Sequence, residues 1–390
     1  MNKWIDKLAT IAASRERTIL GIMSGTSMDG IDLALCRVRG KGISVNAEVQ
    51  KAATVGVSLE LKDRFNELAF RPESPAASIL RFQTELGSFW CREINRQINA
   101  WNISAADIDL LASHGQTVLH HPDRQGACHS SWQIVDGDLL AQSLGILTVS
   151  DFRQKHIAAG YEGAPLAPLA EILLFGGEEE DRILLNLGGI ANFTILEGGM
   201  KDPSVPFATD CGPANTLLDE AVKRLYPGNR YDERGLLARS GKVDEKLFGE
   251  LLAHSFFSRP FPKSTGQEDF NWDWLNTCLV RTDPSLKTED LLATLTELTA
   301  KTVGDAVKSK LESVGCPVFV SGGGWHNKFL IERIDAHLPG FSIMSSEQLG
   351  VDPDVKEAVL FAVLANEAIA GTGWTGEDDV RFTLGKISLP

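Results

Sequence analysis

The segment 21–32, GIMSGTSMDGID, combines residue types that suit an anion and a metal ion. Gly25 and Gly30 allow the backbone to approach an anion closely and to adopt positive φ. Backbone N–H groups and hydroxyls in such a turn can hold phosphate oxygens, and a carboxylate at the tip can position Mg²⁺. An ordinary glycine turn of a β-hairpin is the alternative that this segment alone leaves open. The polar side chains of the turn are Thr26, Ser27, Asp29 and Asp32.

Two further glycine turns follow short apolar runs. NLGGIAN at 186–192 offers Gly188 and Gly189, and SGGGWHN at 321–327 offers three glycines before Asn327. The later turn lies between a predicted strand and a predicted helix, so its N–H groups and the helix dipole suit a nucleotide's phosphate or sugar. Three such turns, each at a strand end, favour nucleotide binding over three unrelated turns. No GxxxxGK[ST] sequence occurs, which excludes a P-loop nucleotide hydrolase.

Two carboxylates occupy positions that suit acid–base chemistry. In the segment 207–221, Asp210 is predicted to end a short strand, and Asn215 is predicted to cap the amphipathic helix that follows. A carboxylate at a strand end suits a general base, and hydrogen bonding to turn amides is the alternative. Glu357 opens the apolar helix predicted at 356–370. It either takes part in the chemistry or interacts with the helix dipole.

A polar set in the first half of the chain is typical of substrate recognition. His114, Gln116 and Thr117 follow an apolar strand-like run and suit the recognition of hydroxyl groups. Arg153 carries a planar guanidinium that suits a substrate carboxylate, with a structural ion pair to Asp151 as the alternative. We therefore take His114, Gln116, Thr117 and Arg153 as candidate substrate-binding residues.

A later segment, FPKSTGQEDFNWDWL at 261–275, places aromatic side chains beside Lys263, Ser264 and Thr265. Aromatic rings next to polar groups can stack on the face of a sugar. Core packing is the alternative, because aromatic clusters are common in protein interiors.

The predicted strands and helices indicate how these residues are positioned. Apolar or β-branched runs bounded by glycine predict strands at 18–25, 32–38, 184–190, 192–196 and 317–324. The first four form two hairpins of one design, about 160 residues apart. An apolar residue at every fourth position predicts a long helix over 76–101. Alternating strands and helices predict an α/β fold, and the repeated hairpin predicts two related lobes with a boundary near 145–155.

Composition excludes some classes of partner. The chain has 390 residues and a net charge of −14, whereas nucleic-acid backbones and anionic membranes attract a field of Lys and Arg. No apolar run is long enough to predict a transmembrane helix, and the N-terminal segment lacks the apolar core of a secretory signal. Six scattered cysteines without a CxxC pair indicate reduced thiols. We therefore expect a cytoplasmic protein that acts on small molecules.

As an ordered series, these motifs resemble one family, anhydro-N-acetylmuramic acid kinase. The glycine turns also resemble the phosphate-1, phosphate-2 and adenosine motifs of the actin, hexokinase and heat-shock-chaperone superfamily. The stretches that carry the family resemblance are MSGTSMDGID (23–32), SHGQT (113–117), DFR (151–153), GAPL (163–166), NLGGIANFT (186–194), DCGPAN (210–215), PKSTG (262–266) and SGGGWHN (321–327). They extend through nearly the whole chain.

The resemblance implies an α/β, two-lobed actin/hexokinase-like (ribonuclease H-like) ATPase fold with the active site between the lobes. The N-terminal lobe would comprise residues 1–150 plus 371–390, and the C-terminal lobe residues 151–370. The implied enzyme, which acts in peptidoglycan recycling, uses ATP to open the anhydro bond of 1,6-anhydro-N-acetylmuramic acid and to phosphorylate O6. Its products are N-acetylmuramic acid 6-phosphate and ADP, and a homodimer is a further expectation.

The resemblance also implies roles for single residues. Asp210 would activate a water molecule for attack at the anomeric carbon, where oxocarbenium-like charge develops, and Glu357 would help to hold that water. Asp29 would position Mg²⁺. The implied ATP-binding residues are Gly25, Thr26, Ser27, Met28, Asp29, Gly30, Ile31, Asp32, Gly188, Gly189, Gly322, Gly323, Gly324 and Asn327.

Two other functions are compatible with the same residues. A sugar 6-kinase of this fold would use Asp210 to deprotonate the sugar hydroxyl directly. A nucleotide-gated binding protein would instead use ATP to open and close two lobes. The sequence also departs from the family pattern at Ala214, where glycine is general, and at Gln267, where arginine is common. About 17 residues precede the first predicted strand and have no assigned role.

Overall fold

A computed structural model describes residues 2–25, 28–71, 73–121, 129–201, 203–266, 269–311, 315–352, 355–376 and 381–390. Thr26, Ser27 and Gln267, which the sequence singled out, lie outside the described residues. The strands are β1 Glu16–Met23, β2 Gly30–Arg39, β3 Asn46–Gly56, β4 Leu110–Ser113, β5 Gln116–His121, β6 Ser130–Ile134, β7 Thr148–Ser150, β8 Arg182–Leu187, β9 Ile190–Leu196, β10 Phe207–Pro213, β11 Pro317–Ser321, β12 Ser342–Ser345, β13 Trp374–Thr375, β14 Arg381–Phe382 and β15 Lys386–Ser388.

The helices are α1 Lys3–Ala13, α2 Leu59–Leu68, α3 Ala76–Ala100, α4 Gly137–Leu144, α5 Phe152–Ala158, α6 Ala167–Phe175, α7 Asn215–Leu225, α8 Leu236–Ser240, α9 Glu245–Leu252, α10 Trp272–Thr282, α11 Thr288–Lys308, α12 Lys328–His337 and α13 Lys356–Ala370. Within the described ranges, every helix is too short or too polar to cross a membrane.

The chain folds into two compact units. The first unit consists of Met1–Gly177, Gly199–Val205 and Asp354–Pro390, and the second of Glu178–Gly198 and Pro206–Pro353. These bounds differ from the expected lobes, because 151–177, 199–205 and 354–370 belong to the first unit. The physical reason is that α13 packs on β1, β2 and β4, and α6 packs on α13. An apolar pattern predicts that a helix is buried, but it does not identify the sheet that covers it.

The first unit is built on a six-stranded sheet in the order β15-β7-β4-β1-β2-β3. β1, β2 and β3 are antiparallel neighbours, whereas β4 is parallel to β1 and β7 to β4. The hairpin predicted around the first glycine turn is therefore confirmed. The helix predicted over 76–101 is also confirmed, since α3 buries its apolar stripe in the core that contains Leu20 and Ile22 of β1.

Gly21 allows α13 to lie close to β1. Its neighbours Leu20 and Ile22 point to the α3 side, so Gly21 points to the opposite face. A Cβ atom at this position would lie 1.9 Å from the carbonyl oxygen of Ala358 in α13. Any side chain would therefore move the first turns of α13, which carry Glu357.

The second unit has a five-stranded sheet in the order β10-β9-β8-β11-β12. β8, β9 and β10 are antiparallel neighbours, and β11 is parallel to both β8 and β12. The second predicted hairpin is thus confirmed as β8–β9. The core between this sheet and α11 includes Phe193, Val303, Val307 and Val320.

Both sheets follow one plan. Numbered by their appearance in each unit, the five common strands have the order 3-2-1-4-5, with the same parallel and antiparallel neighbours. The additional strand of the first unit, β15, joins the edge next to β7. The α/β class and the two related halves expected for an actin/hexokinase-like fold are confirmed by this shared order.

Candidate active site

Main-chain carbonyl groups fix the glycine turn between β1 and β2. The Gly25 carbonyl accepts hydrogen bonds from the Gln116 Nε2 group (3.0 Å) and from the Met28 N–H group (3.1 Å). Ser24 Oγ donates to the Gly30 carbonyl at 2.8 Å. The Met28 side chain is buried in the core, so only its main chain is available to a ligand at this turn.

The two carboxylates of this turn have different surroundings. Asp29 is exposed and forms an ion pair with Lys62 of α2. Asp32 is the third residue of β2, and its Oδ1 accepts a hydrogen bond from Thr54 Oγ1 of β3 at 2.6 Å. Ile31 between them is fully buried. No group of three or more His, Cys, Asp or Glu within the described parts of the chain is arranged to hold a metal ion.

The second glycine turn contacts the N-terminus of α7. Gly188 accepts a hydrogen bond from the Asn215 N–H group at 3.1 Å, and Gly189 accepts from Ala214 (2.9 Å) and Thr216 (3.2 Å). The prediction that Asn215 caps α7 is wrong, because Asn215 is the first residue of that helix and no side chain caps it. The turn carbonyls satisfy the N–H groups that a side-chain cap would otherwise serve.

The third glycine turn lies against the end of β8. Gly322 has a φ of +84°, and a Cβ atom there would be 2.8 Å from the Leu187 carbonyl oxygen. A Cβ atom on Gly324 would be 2.5 Å from Leu187 Cβ, whereas Gly323 has more space. Asn327 is buried and caps α12, with Oδ1 accepting an N–H group of the first turn at 3.0 Å. The two predicted nucleotide turns of this unit are thus neighbours.

Asp210 lies inside β10 rather than at its end. The prediction of a strand end is wrong because β10 continues past a bulge between Asp210 and Gly212 to Pro213. Asp210 Oδ2 accepts the Thr265 N–H group at 2.8 Å, and the Asp210 N–H group donates to the Lys263 carbonyl at 2.9 Å. The segment 262–266 therefore orients the half-buried Asp210 carboxylate.

Lys263 anchors that segment. Its Nζ donates to the carbonyls of Phe256 (3.1 Å) and Phe257 (3.2 Å) and lies over the rings of Phe256 and Phe261. Burial lowers the pKa of this ammonium group. Phe270 nearby is fully buried in the core. These contacts favour core packing over sugar stacking for the aromatic cluster.

The buried His114 and the half-buried Arg153 form a hydrogen-bonded pair in the first unit. Arg153 Nε donates to His114 Nε2 at 3.0 Å, and Arg153 Nη1 donates to Ser131 Oγ at 3.3 Å. Since Nε2 accepts, the ring proton lies on Nδ1, which donates to the Gly115 carbonyl at 3.0 Å. Burial, followed by the charge of Arg153, lowers the pKa of His114 to about 3. The imidazole is therefore neutral at physiological pH.

Arg153 keeps its charge although protein surrounds it. Burial lowers its pKa to about 10, against the attraction of Glu357 and Asp151. Both of its side-chain hydrogen bonds to described residues go to neutral groups. Asp151, the alternative partner from the sequence, forms its ion pair with Lys386. A planar cation whose hydrogen bonds go to neutral groups suits the carboxylate of a ligand.

Gln116 and Thr117 begin β5 and are both buried. Gln116 Nε2 holds the Gly25 carbonyl, whereas its Oε1 has no hydrogen-bond partner among the described residues. Thr117 Oγ1 accepts from Gln133 Nε2 at 3.4 Å. A buried acceptor without a donor is costly, so the Gln116 oxygen suits a hydroxyl group of a ligand.

Glu357 lies in the first turn of α13 and is open to solvent, yet protein surrounds much of it. This partial burial raises its pKa, with Lys356 and Arg153 opposing the rise and Asp32 and Glu171 adding to it. Lys356 and Glu171 form a buried ion pair at 2.6 Å. The sequence did not predict this pair, because its members are far apart in the chain and belong to two apolar helices.

Comparison with known proteins identifies the family. The chain matches the family "Anhydro-N-acetylmuramic acid kinase" over residues 17–374. A relative of that name from Pseudoalteromonas atlantica is 42% identical over 100% of both chains, and one from Pseudoalteromonas translucida is 38% identical over 100% of both. Another from Caldanaerobacter subterraneus is 36% identical over 94% of both chains. The chain therefore belongs to the anhydro-N-acetylmuramic acid kinase family.

Proposed function

We propose that this chain uses ATP to open 1,6-anhydro-N-acetylmuramic acid hydrolytically and to phosphorylate its O6. The products are N-acetylmuramic acid 6-phosphate and ADP, and the reaction serves peptidoglycan recycling. Full-length identity to relatives of that name carries the proposal. The duplicated sheet, with a glycine turn after the first strand of each half, supports nucleotide binding.

Asp210 acts as the general base. The Thr265 N–H group holds one of its oxygens, so the carboxylate has a fixed orientation. It removes a proton from water while the water oxygen bonds to the anomeric carbon and the bond from that carbon to O6 breaks. The carboxylate also stabilises the positive charge that develops at the anomeric carbon. The released O6 takes the γ-phosphoryl group of ATP, and ADP leaves.

The polar residues of the first unit recognise the sugar. Arg153 binds the lactate carboxylate of the muramic acid, since it is charged and its hydrogen bonds go to neutral groups. The neutral His114 holds the guanidinium in place. Gln116 Oε1 accepts a sugar hydroxyl, and Thr117 is a further substrate-binding residue of the same strand. Glu357, whose pKa is raised by its partial burial, helps to hold the attacking water.

ATP binds at the glycine turns. Its phosphates contact the main chain of 25–32, including Thr26 and Ser27 outside the described residues, and Gly188, Gly189 and 322–324 complete the nucleotide contacts. Mg²⁺ would be held by Asp29, whose exposed carboxylate pairs with Lys62 here, because this ion takes one or two carboxylates and keeps several waters. When bound, the ion would supply positive charge against the phosphoryl group. We further propose a cytoplasmic homodimer.

Product analysis tests the function. The protein is mixed with Mg·ATP and 1,6-anhydro-N-acetylmuramic acid in ¹⁸O-water, and the sugars are analysed by mass spectrometry. We expect a phosphorylated sugar that carries one solvent oxygen at C1. A phosphorylated sugar without solvent oxygen would favour a simple sugar 6-kinase. ADP without a phosphorylated sugar would favour a nucleotide-gated binding protein.

A further inference from the structure

The Lys356–Glu171 ion pair is unusual in its location. Nζ and Oε1 are 2.6 Å apart, and the side chains are only 8% and 7% exposed. Removing two charges from water is costly, and apolar residues of similar volume often serve stability equally well. Lys356 is also the first residue of α13, where the helix dipole disfavours a positive charge. Stability alone therefore does not account for the pair.

The pair lies beside Glu357, the next residue of α13. Charged groups on three other elements interact electrostatically with Glu357: Asp32 of β2, Arg153 of α5 and Glu171 of α6. The fourth charged group is Lys356, on α13 itself. His114, which follows β4, is neutral. Lys356 and Arg153 favour the ionised carboxylate, whereas Asp32 and Glu171 favour the protonated acid. The ion pair thus joins Lys356, which favours the ionised carboxylate, to Glu171, which favours the protonated acid.

Geometry explains why these two groups are joined. The pair connects the first residue of α13 to α6, which packs on that helix. Gly21 lets the first turn of α13, at Ala358, lie directly on β1. The backbone at Glu357 is thus held from two sides. The same ion pair holds the Lys356 ammonium group at α6.

We propose that the Lys356–Glu171 ion pair positions the Glu357 carboxylate and sets its basicity. Lys356 and Glu171 are positioning residues, because they act through Glu357 rather than on the substrate. This inference rests on the proposed function, in which Glu357 holds the attacking water. The two members of the pair have opposite charges, so removing them one at a time shifts the ionisation of Glu357 in opposite directions.

The test measures the ionisation of Glu357 directly. The full-length protein is labelled with [5-¹³C]glutamate, the Glu357 resonance is assigned with Glu357→Gln, and its pKa is read from an NMR titration. We expect Lys356→Met to raise the pKa of Glu357 and Glu171→Gln to lower it. The acid limb of the kcat profile should move to higher pH in the first variant and to lower pH in the second.

A double variant covers the case in which a single substitution prevents folding. Lys356→Met/Glu171→Met removes both charges and keeps an apolar contact between α13 and α6. Lys356 has the larger effect on Glu357, so we expect a net rise in its pKa. The matched control is Arg64→Met/Glu85→Met, which removes an exposed pair of the same unit and should leave Glu357 unchanged.

The outcomes separate the inference from the proposed function. An unchanged NMR pKa of Glu357 in the double variant, or shifts of the same sign in both single variants, would overturn the inference. If the NMR pKa moves as expected while the kcat profile does not follow, the inference about ionisation holds. The role of Glu357 in the reaction then fails.

Discussion

The two sheets share a strand order, yet they place their carboxylates on different strands. The third residue of the second strand is Asp32 in the first unit and Asn192 in the second. The residues paired with them on the third strand are Thr54 and Asp210, respectively. The carboxylate of this equivalent pair thus lies on the second strand in the first unit and on the third strand in the second unit. A duplicated frame therefore constrains where a functional side chain lies, but not which half performs which step.

The glycine turns of the two units are also held differently. In the first unit a side chain, Gln116, binds the Gly25 carbonyl together with the Met28 N–H group. In the second unit the main chain at the start of α7 binds the carbonyls of Gly188 and Gly189. The first turn therefore depends in part on the identity of one buried side chain, whereas the second depends mainly on the path of the backbone.

The largest expected effect comes from the carboxylate of the second unit. Asp210→Asn keeps an oxygen for the Thr265 N–H group but removes the base. We expect kcat to fall by about 10²–10⁴-fold, the usual contribution of a general base. Binding of a non-hydrolysable ATP analogue, measured by calorimetry, should be unchanged. Asp273→Asn, on the exposed face of α10, is the control, and retained turnover in Asp210→Asn would remove Asp210 from the base role.

Local patterns predicted the frame on which these residues lie. Both hairpins follow from apolar runs that flank a glycine turn, and α3 follows from its four-residue apolar repeat. Each signal arises within a short stretch of chain, where sequence and conformation are directly coupled. The shared design of the hairpins also predicted two related halves.

Contacts between distant segments were not predictable in this way. The bulge that keeps Asp210 inside β10, the Thr265 N–H group on its carboxylate and the packing of α13 on β1 all join separate parts of the chain. The turn carbonyls that replace a cap at Asn215 are a further case. These features depend on the assembled sheet, and no local periodicity encodes them.

The two units should also differ in their response to acid. The pKa of His114 is about 3 in the folded protein against an ordinary value of 6.5. The unfolded chain therefore binds more protons between these values, so the stability is complete above pH 6.5 and falls as the pH drops towards 3. At about pH 5 the loss from His114 alone is about 2 kcal/mol. His120 and His156, whose pKa values are lowered to about 4, act in the same direction.

Hydrogen exchange at neutral pH and at about pH 5, corrected for intrinsic rates, measures this difference. Peptides from β4 to β7 should lose more protection than those from β8 to β12. In the second unit, burial also lowers the pKa of His254, but Asp269 opposes that shift. His114→Gln should reduce the acid sensitivity of the first unit. Equal losses of protection in both units would contradict the assignment of the acid sensitivity to His114 and its neighbours in the first unit.

The smallest expected effect tests how the first glycine turn is held. Gln116→Leu removes the side-chain donor to Gly25, and a lost hydrogen bond of about 1 kcal/mol should raise KM for ATP about fivefold. Gln116→Glu also loses that donor but keeps an oxygen in place of Oε1. Both variants should therefore weaken ATP use, while only the leucine variant should raise KM for the sugar.

Thr216→Val is the control in the second unit. It keeps its main-chain bond to Gly189 and should leave KM for ATP unchanged. If Thr216→Val weakens ATP use as much as Gln116→Leu does, the distinction between a turn held by a side chain and one held by the backbone fails.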